Sequence, residues 1–120
     1  MSTLNNIRNK RSKDPIDRLI FEEKLRIKTL IIDKELDVLL LLFNNGNVLK
    51  VQLSNYPKLK NADENSLNDW RLINGGIGIR WERLDEDLSV KGFIKTAALN
   101  QTLRSLKGND SGAGLSALAQ

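Results

Sequence analysis

Apolar positions change their spacing several times along this 120-residue chain, and each change marks an element. Residues 1–13 show no apolar period and read as a disordered arm. In "DPIDRLIFEEKL", Asp14 is placed to accept from the first free amides of a helix, Pro15 suits its first turn, and Asp17 favours its positive end. Ile16, Leu19 and Ile20 fall at i, i+3 and i+4, so residues 14–24 predict a short helix with one apolar stripe. From Leu25 the spacing becomes two. Leu25, Ile27, Thr29 and Ile31 share one face and Arg26 and Lys28 the other, which predicts a half-exposed strand. Val38 to Phe43 is apolar at all six positions and predicts a strand buried on both faces, hence a central one. Asn45-Gly46 is the dipeptide of a type I′ turn. Leu49, Val51 and Leu53 then alternate with Lys50 and Gln52. The prediction is a three-stranded antiparallel meander.

The second half is more broken. Asp63 caps a predicted helix from Glu64 to Trp70, with Leu67 and Trp70 on its apolar side. Leu72 and Ile73 suggest a brief strand, and Gly75 and Gly76 a turn. Ile77, Ile79 and Trp81 alternate with Gly78 and Arg80 and predict a fourth strand. After Leu84, either Asp85 or Ser89 caps a helix whose acidic first turn suits the helix dipole. Leu88, Phe93, Ile94, Leu99, Leu103 and Leu106 carry an interrupted stripe onward, with Gly92 a weak point and residues 95–107 the C-terminal helix. Gly108 ends it, and residues 108–120 read as a flexible tail. The whole predicts one α+β domain over residues 25–94, a small antiparallel sheet with short helices on it. Gly46, Trp70, Gly75, Gly76, Trp81 and Leu88 are its expected structural residues.

Composition narrows the chemistry. The chain has no cysteine and no histidine, which removes disulfides, thiolate and imidazole metal sites, and the commonest nucleophile and general base. No apolar run approaches the ~20 residues of a membrane span, so the expectation is a cytoplasmic protein with no membrane segment. The net charge of +4 is uneven. Residues 1–13 hold Arg8, Lys10, Arg11 and Lys13 and no acid, whereas residues 31–94 hold eight bases against ten acids. A basic arm is suited to nucleic-acid phosphates, although a solvated tail has the same composition. "GGIG" has the spacing of neither a dinucleotide fingerprint nor a P-loop. Glu82, Asp85, Glu86 and Asp87 are the oxygen-rich group a hard cation would want. Three of them are consecutive and cannot share one side of a helix, so no metal or other cofactor is expected.

"LDVLLLLFNNGNVLKVQLSNYPKL", a short helix ending at Trp70, "GGIGIRW" and "LDEDLSVKG" together resemble the bacterial family named domain of unknown function 2442 over about residues 25–94. The matching positions include Gly46, Pro57, Leu59, Trp70, Gly75, Gly76, Gly78, Ile79, Trp81, Leu84 to Val90 and Gly92. The resemblance implies a compact α+β domain with no established enzymatic activity. Family members stand alone, are fused to a helix-turn-helix, or lie beside a small toxin-like partner, which implies regulation by binding. Where Arg80 and Glu82 stand here, family members often have a histidine and a proline, so no role of that histidine carries over.

The resulting expectation is a non-enzymatic module, an accessory, adaptor or antitoxin-like regulator that docks a protein partner. The docking candidates are Arg80, Glu82, Asp85, Glu86 and Asp87 in the acidic segment, and Ile16, Leu19 and Ile20 on the N-terminal helix. The alternatives are a nucleic-acid-associated protein using Arg8, Lys10, Arg11 and Lys13 and, behind it, a carboxylate-metal enzyme. Self-association is open.

Overall fold

Among the described residues six strands pair into two antiparallel sheets, joined by short helices and closed by one long helix. The computed structural model describes residues 14–107. The first sheet has the order β1 (Ile27–Asp33), β2 (Val38–Phe43), β3 (Val48–Gln52), so the expected meander is present with β2 central. Helices α2 (Pro57–Lys60) and α3 (Glu64–Asn68) follow. The second sheet has the order β4 (Trp70–Ile73), β5 (Gly78–Trp81), β6 (Glu86–Ser89), and α4 (Val90–Lys107) ends the described chain. The class is α+β.

β1 departs from simple alternation. Ile27 pairs with Phe43 and Thr29 with Leu42, so Ile27 and Lys28 together oppose one residue, a β-bulge. Beyond it the inward positions become Leu30 and Ile32, while Thr29 and Ile31 face solvent. The expected inward set of Leu25, Ile27, Thr29 and Ile31 thus holds only for its first two members. The β2–β3 turn also differs. Gly46 N donates to Phe43 O at 3.0 Å and Phe43 N to Asn47 O at 2.9 Å, and Gly46 alone has positive φ there, at 89°. This is a three-residue loop closing on a glycine bulge rather than a type I′ turn, which needs positive φ at Asn45 as well. β2 itself buries Leu39, Leu41 and Phe43 but leaves Val38, Leu40 and Leu42 half-exposed. It is central without being covered on both faces.

Corrections in the second half have local causes. Asp63 does cap α3, accepting from Ser66 N at 2.7 Å, but the helix ends at Asn68 and Trp70 opens β4 opposite Trp81. Ile77 keeps helical angles and closes the 74–76 turn, so β5 starts at Gly78. Asp85 takes left-handed φ, 50°, and turns the chain into β6. Residues 86–89 are therefore strand, and the acids are not the first turn of a helix. Ser89 caps α4 instead, its Oγ accepting from Gly92 N at 3.0 Å, and the helix runs unbroken through Gly92. At the other end, Asp14 Oδ1 accepts from Ile16 N at 2.9 Å, starting α1 (Pro15–Asp17) as expected. The segment then widens into a π-helical turn over Arg18–Glu22, with Glu23 N bonded to Arg18 O at 3.0 Å.

One core joins these parts. Ile20, Leu25 and Ile27 meet Leu39, Leu41 and Phe43 of β2, Leu59 and Leu67 of the short helices, Ile79 and Trp81 of β5, and Val90 and Phe93 of α4. Trp81 is fully buried, and its indole Nε1 donates to Leu67 O at 2.9 Å, which satisfies the one polar atom its burial would otherwise leave without a partner.

Candidate functional site

The acidic segment is organised by pairing across the second sheet. Antiparallel register sets Arg80 opposite Asp87 on one side and Arg71 on the other, while Ile79 faces Leu88 and Leu72 on the core side. Arg80 reaches Asp87 Oδ1 at 2.8 Å, Asp85 Oδ1 at 2.9 Å and Glu82 Oε1 at 3.1 Å, and Arg71 joins Glu82 at 3.3 Å. Glu86, the next residue along, points to Lys58 at 3.5 Å. The guanidinium beside them holds Glu82, with help from Arg71, and Asp85 below the usual carboxylate range. Hydrogen bonds to Asp87, then Asp85, then Glu82 raise Arg80 further above its ordinary value. Glu82 and Asp85 are thereby held ionised at neutral pH, and all four acids are engaged by cations, so the group suits neither proton donation nor the bare oxygen cage of a hard cation. Among the described residues no three acidic side chains converge as metal ligands.

The stripe on the N-terminal helix is turned toward the core, with Ile16 and Leu19 only partly covered. Ile20 is 2% exposed, and Ile16 and Leu19 pack against the same core. Lys91 of α4 fastens this segment, reaching Asp17 Oδ1 at 2.8 Å and Asp14 Oδ2 at 3.2 Å. Arg8, Lys10, Arg11 and Lys13 lie outside the described residues. Of the expected structural residues, Trp81 sits in the core, Leu88 and Trp70 pack against it, and Gly46, Gly75 and Gly76 occupy positive-φ turns. Among the described residues no helix is long and apolar enough to cross a membrane.

Among the described residues an uncovered apolar surface lies elsewhere, on the outer face of the first sheet. Register places Ile31 beside Leu40 and Leu42 beside Val48, and these four are neighbours across three strands. Ile31 is 53% and Val48 56% exposed, with Leu40 and Leu42 half-exposed between them. α4 adds a second stripe, unpartnered among the described residues. Leu99, Leu103 and Leu106 stand at i, i+4 and i+7, all exposed, and every residue from Gln101 to Lys107 is exposed. Neither surface was among the sequence candidates. The signal was present in the fully apolar β2, which reads as buried only if something covers both its faces.

Known proteins support the fold and are silent on the reaction. A protein of unknown function from Rhodospirillum rubrum has a crystal structure similar to this one, with a TM-score of 0.52 at 24% identity, over 59% of this chain and 86% of that chain. The solution structure of an uncharacterised protein from Chromobacterium violaceum is similar with a TM-score of 0.55 at 18% identity, over 78% of this chain and 86% of that chain. Among curated proteins none matches. The family model for proteins of unknown function DUF2442 matches residues 27–98, both sheets and the first half of α4, and the chain belongs to that family.

Proposed function

We propose that this chain is a non-catalytic protein-binding module, an accessory, adaptor or antitoxin-like regulator whose docking surface is the outer face of the first sheet. The observation behind this reading is the contiguous aliphatic patch of Ile31, Leu40, Leu42 and Val48. A patch of this kind on a small domain is costly to leave wet and is typical of a surface that another protein covers. The absence of histidine and cysteine from the sequence and the pairing of the β5–β6 carboxylates with Arg80 support the non-catalytic half of the reading. Docking therefore moves away from the acidic segment and the N-terminal helix, whose side chains are engaged internally.

Ile31→Asp combined with Val48→Asp tests the reading, because both side chains are more than half exposed and their replacement leaves the core untouched. The full chain and the double variant are used as baits in a lysate of the native host, with captured proteins quantified by mass spectrometry. The expected result is a small set retained by the parent and lost by a variant of unchanged melting temperature. Equal retention by both, or no capture above background by the parent, refutes the reading.

A further inference from the structure

We infer that the partner contributes an acidic, extended segment that adds to the edge of β3 left unpaired among the described residues, in the groove between β3 and α4. This rests on the protein-binding reading and specifies its chemistry. Phe43 N bonds to Asn47 O, and Leu41 pairs with Leu49 and Leu39 with Val51. Hydrogen-bonded residues alternate in an antiparallel pair, so Leu49 and Val51 turn their backbone groups to β2 while Val48, Lys50 and Gln52 turn theirs outward. β3 is an edge strand, and an edge with outward amides and carbonyls is a template for another strand. The other edge, β1, is blunted by its bulge and by the 74–76 turn, where Gly76 approaches the backbone of Ile27.

Beside β3 lies a depression of about 320 Å³ lined by Lys50, Val51, Gln52, Ala97, Asn100 and Arg104. It continues along α4 past Leu103 and Lys107. Among the described residues no acid lines either part, Lys50 and Arg104 both do, and α4 contains no Asp or Glu. This field selects an acidic strand and repels a basic one. It also disfavours a second copy, because two-fold pairing through β3 would set Lys50 near its own equivalent and bring two wholly basic helices together. An incoming strand turns alternate side chains to opposite faces, so a row of carboxylates meets Lys50 on the outer face while an aliphatic row meets Ala97 and Leu103 on the α4 side.

The probe is a short peptide of alternating glutamate and valine, titrated into the full chain and followed by amide hydrogen exchange and chemical shifts. The inference requires slowed exchange at the Val48, Lys50 and Gln52 amides. It also requires binding weakened about tenfold or more by Lys50→Glu with Arg104→Glu, no binding of a lysine–valine peptide, and loss of binding when alternate peptide nitrogens are methylated. Methylation alters only the probe, so a misfolded variant cannot mimic that loss. Equal binding of the methylated peptide, with shifts but no amide protection, means charge attraction alone and overturns strand addition. Edge amides already protected in the free chain, and exposed by Leu115→Ser with Leu118→Ser, would make the chain's own end the occupant and equally overturn it. Failure of every acidic peptide while the Ile31/Val48-dependent capture persists removes this inference and leaves the protein-binding reading standing.

Discussion

Gly75 and Gly76 are adjacent, both have positive φ, and one substitution separates what each does. At Gly75, with φ 69°, a new Cβ meets nothing within 4 Å. Alanine there incurs only the left-handed backbone cost, about 1–2 kcal/mol. At Gly76, with φ 104°, the Cβ would lie 2.6 Å from Ile27 O, 3.1 Å from Ile27 N and 3.2 Å from Arg26 Cβ. Backbone of a buried strand cannot step aside as a side-chain tip can, so the turn must lift from β1. That adds loss of contact between the two sheets to a strained backbone that alone costs about 1–3 kcal/mol. Gly76→Ala should therefore destabilise by about 3 kcal/mol or more in total, against about 1–2 kcal/mol for Gly75→Ala. Loss of unfolded-chain freedom is the same for both and cancels in the comparison. At about 4–8 °C per kcal/mol for a domain of this size, that difference of at least about 1 kcal/mol should put the melting of Gly76→Ala about 4 °C or more below that of Gly75→Ala. Thermal unfolding monitored through Trp70 and Trp81, which both lie in the second sheet, provides the measurement. Melting within two or three degrees of each other, a gap of under about 1 kcal/mol by the same conversion, would refute the close approach of the turn to β1.

Four further outcomes follow from the same structure. Deleting Lys28 removes the bulged residue and keeps Ile27 and Leu30 inward, so the protein should fold. Deleting Ile31 inverts one side of the strand, exposing a buried aliphatic side chain at about 1.5–3 kcal/mol, and chemical denaturation ranks the two. Trp81→Phe leaves Leu67 O without its donor and a void beside it, for a loss of about 2–4 kcal/mol by urea titration. Arg80→Met should lower the melting temperature most at neutral pH. Its partners Glu82 and Asp85 have folded-state values below their unfolded ones, so the stability they contribute is present above the ordinary carboxylate range and lost as pH falls through their lowered values. The gap between parent and Arg80→Met must then shrink in acid, and a gap independent of pH would contradict the ion-pair account. Lys91→Met should speed amide exchange across Ile16 to Ile20 while leaving exchange in β2 unchanged, because the ion-pair partners of Lys91 are Asp14 and Asp17, both outside the first sheet.

Period and turn chemistry reveal an element when its neighbours agree with it. β2, β3, the Asp14 and Asp63 caps and the Gly75-Gly76 turn are all legible in the chain for that reason. The bulge at Lys28 is not, because it is decided by which residue of β2 each residue of β1 opposes. The only local trace is that Leu30, Ile31 and Ile32 are apolar at both parities, which shows that alternation has failed without showing where. Asp85 to Asp87 mislead for a related reason. A helix start and a strand opposite arginine both favour acids, and nothing in "LDEDLSV" separates them. The deciding contact is Arg80, facing Asp87 across the β5–β6 pair, and once that pairing exists Ser89 is left as the only candidate placed to cap the helix.

The candidate surface was hidden by an assumption about cover. A strand apolar at every position needs material on both faces if it is to be buried, and the supply can be counted along the chain. Pro57–Lys60 and Glu64–Asn68 are too short to cover a three-stranded sheet, and α4 is drawn into the core through Val90 and Phe93 at its first turn. With the second sheet also on the core side, through Ile79 and Trp81, no element among the described residues is left for the face bearing Leu40 and Leu42. A run such as "VLLLLF" therefore carries two meanings, a central strand and a shortage of cover. The shortage is the more informative of the two here, because it falls beside the cation-lined edge of β3, where added material would pair with backbone and cover aliphatic side chains at once.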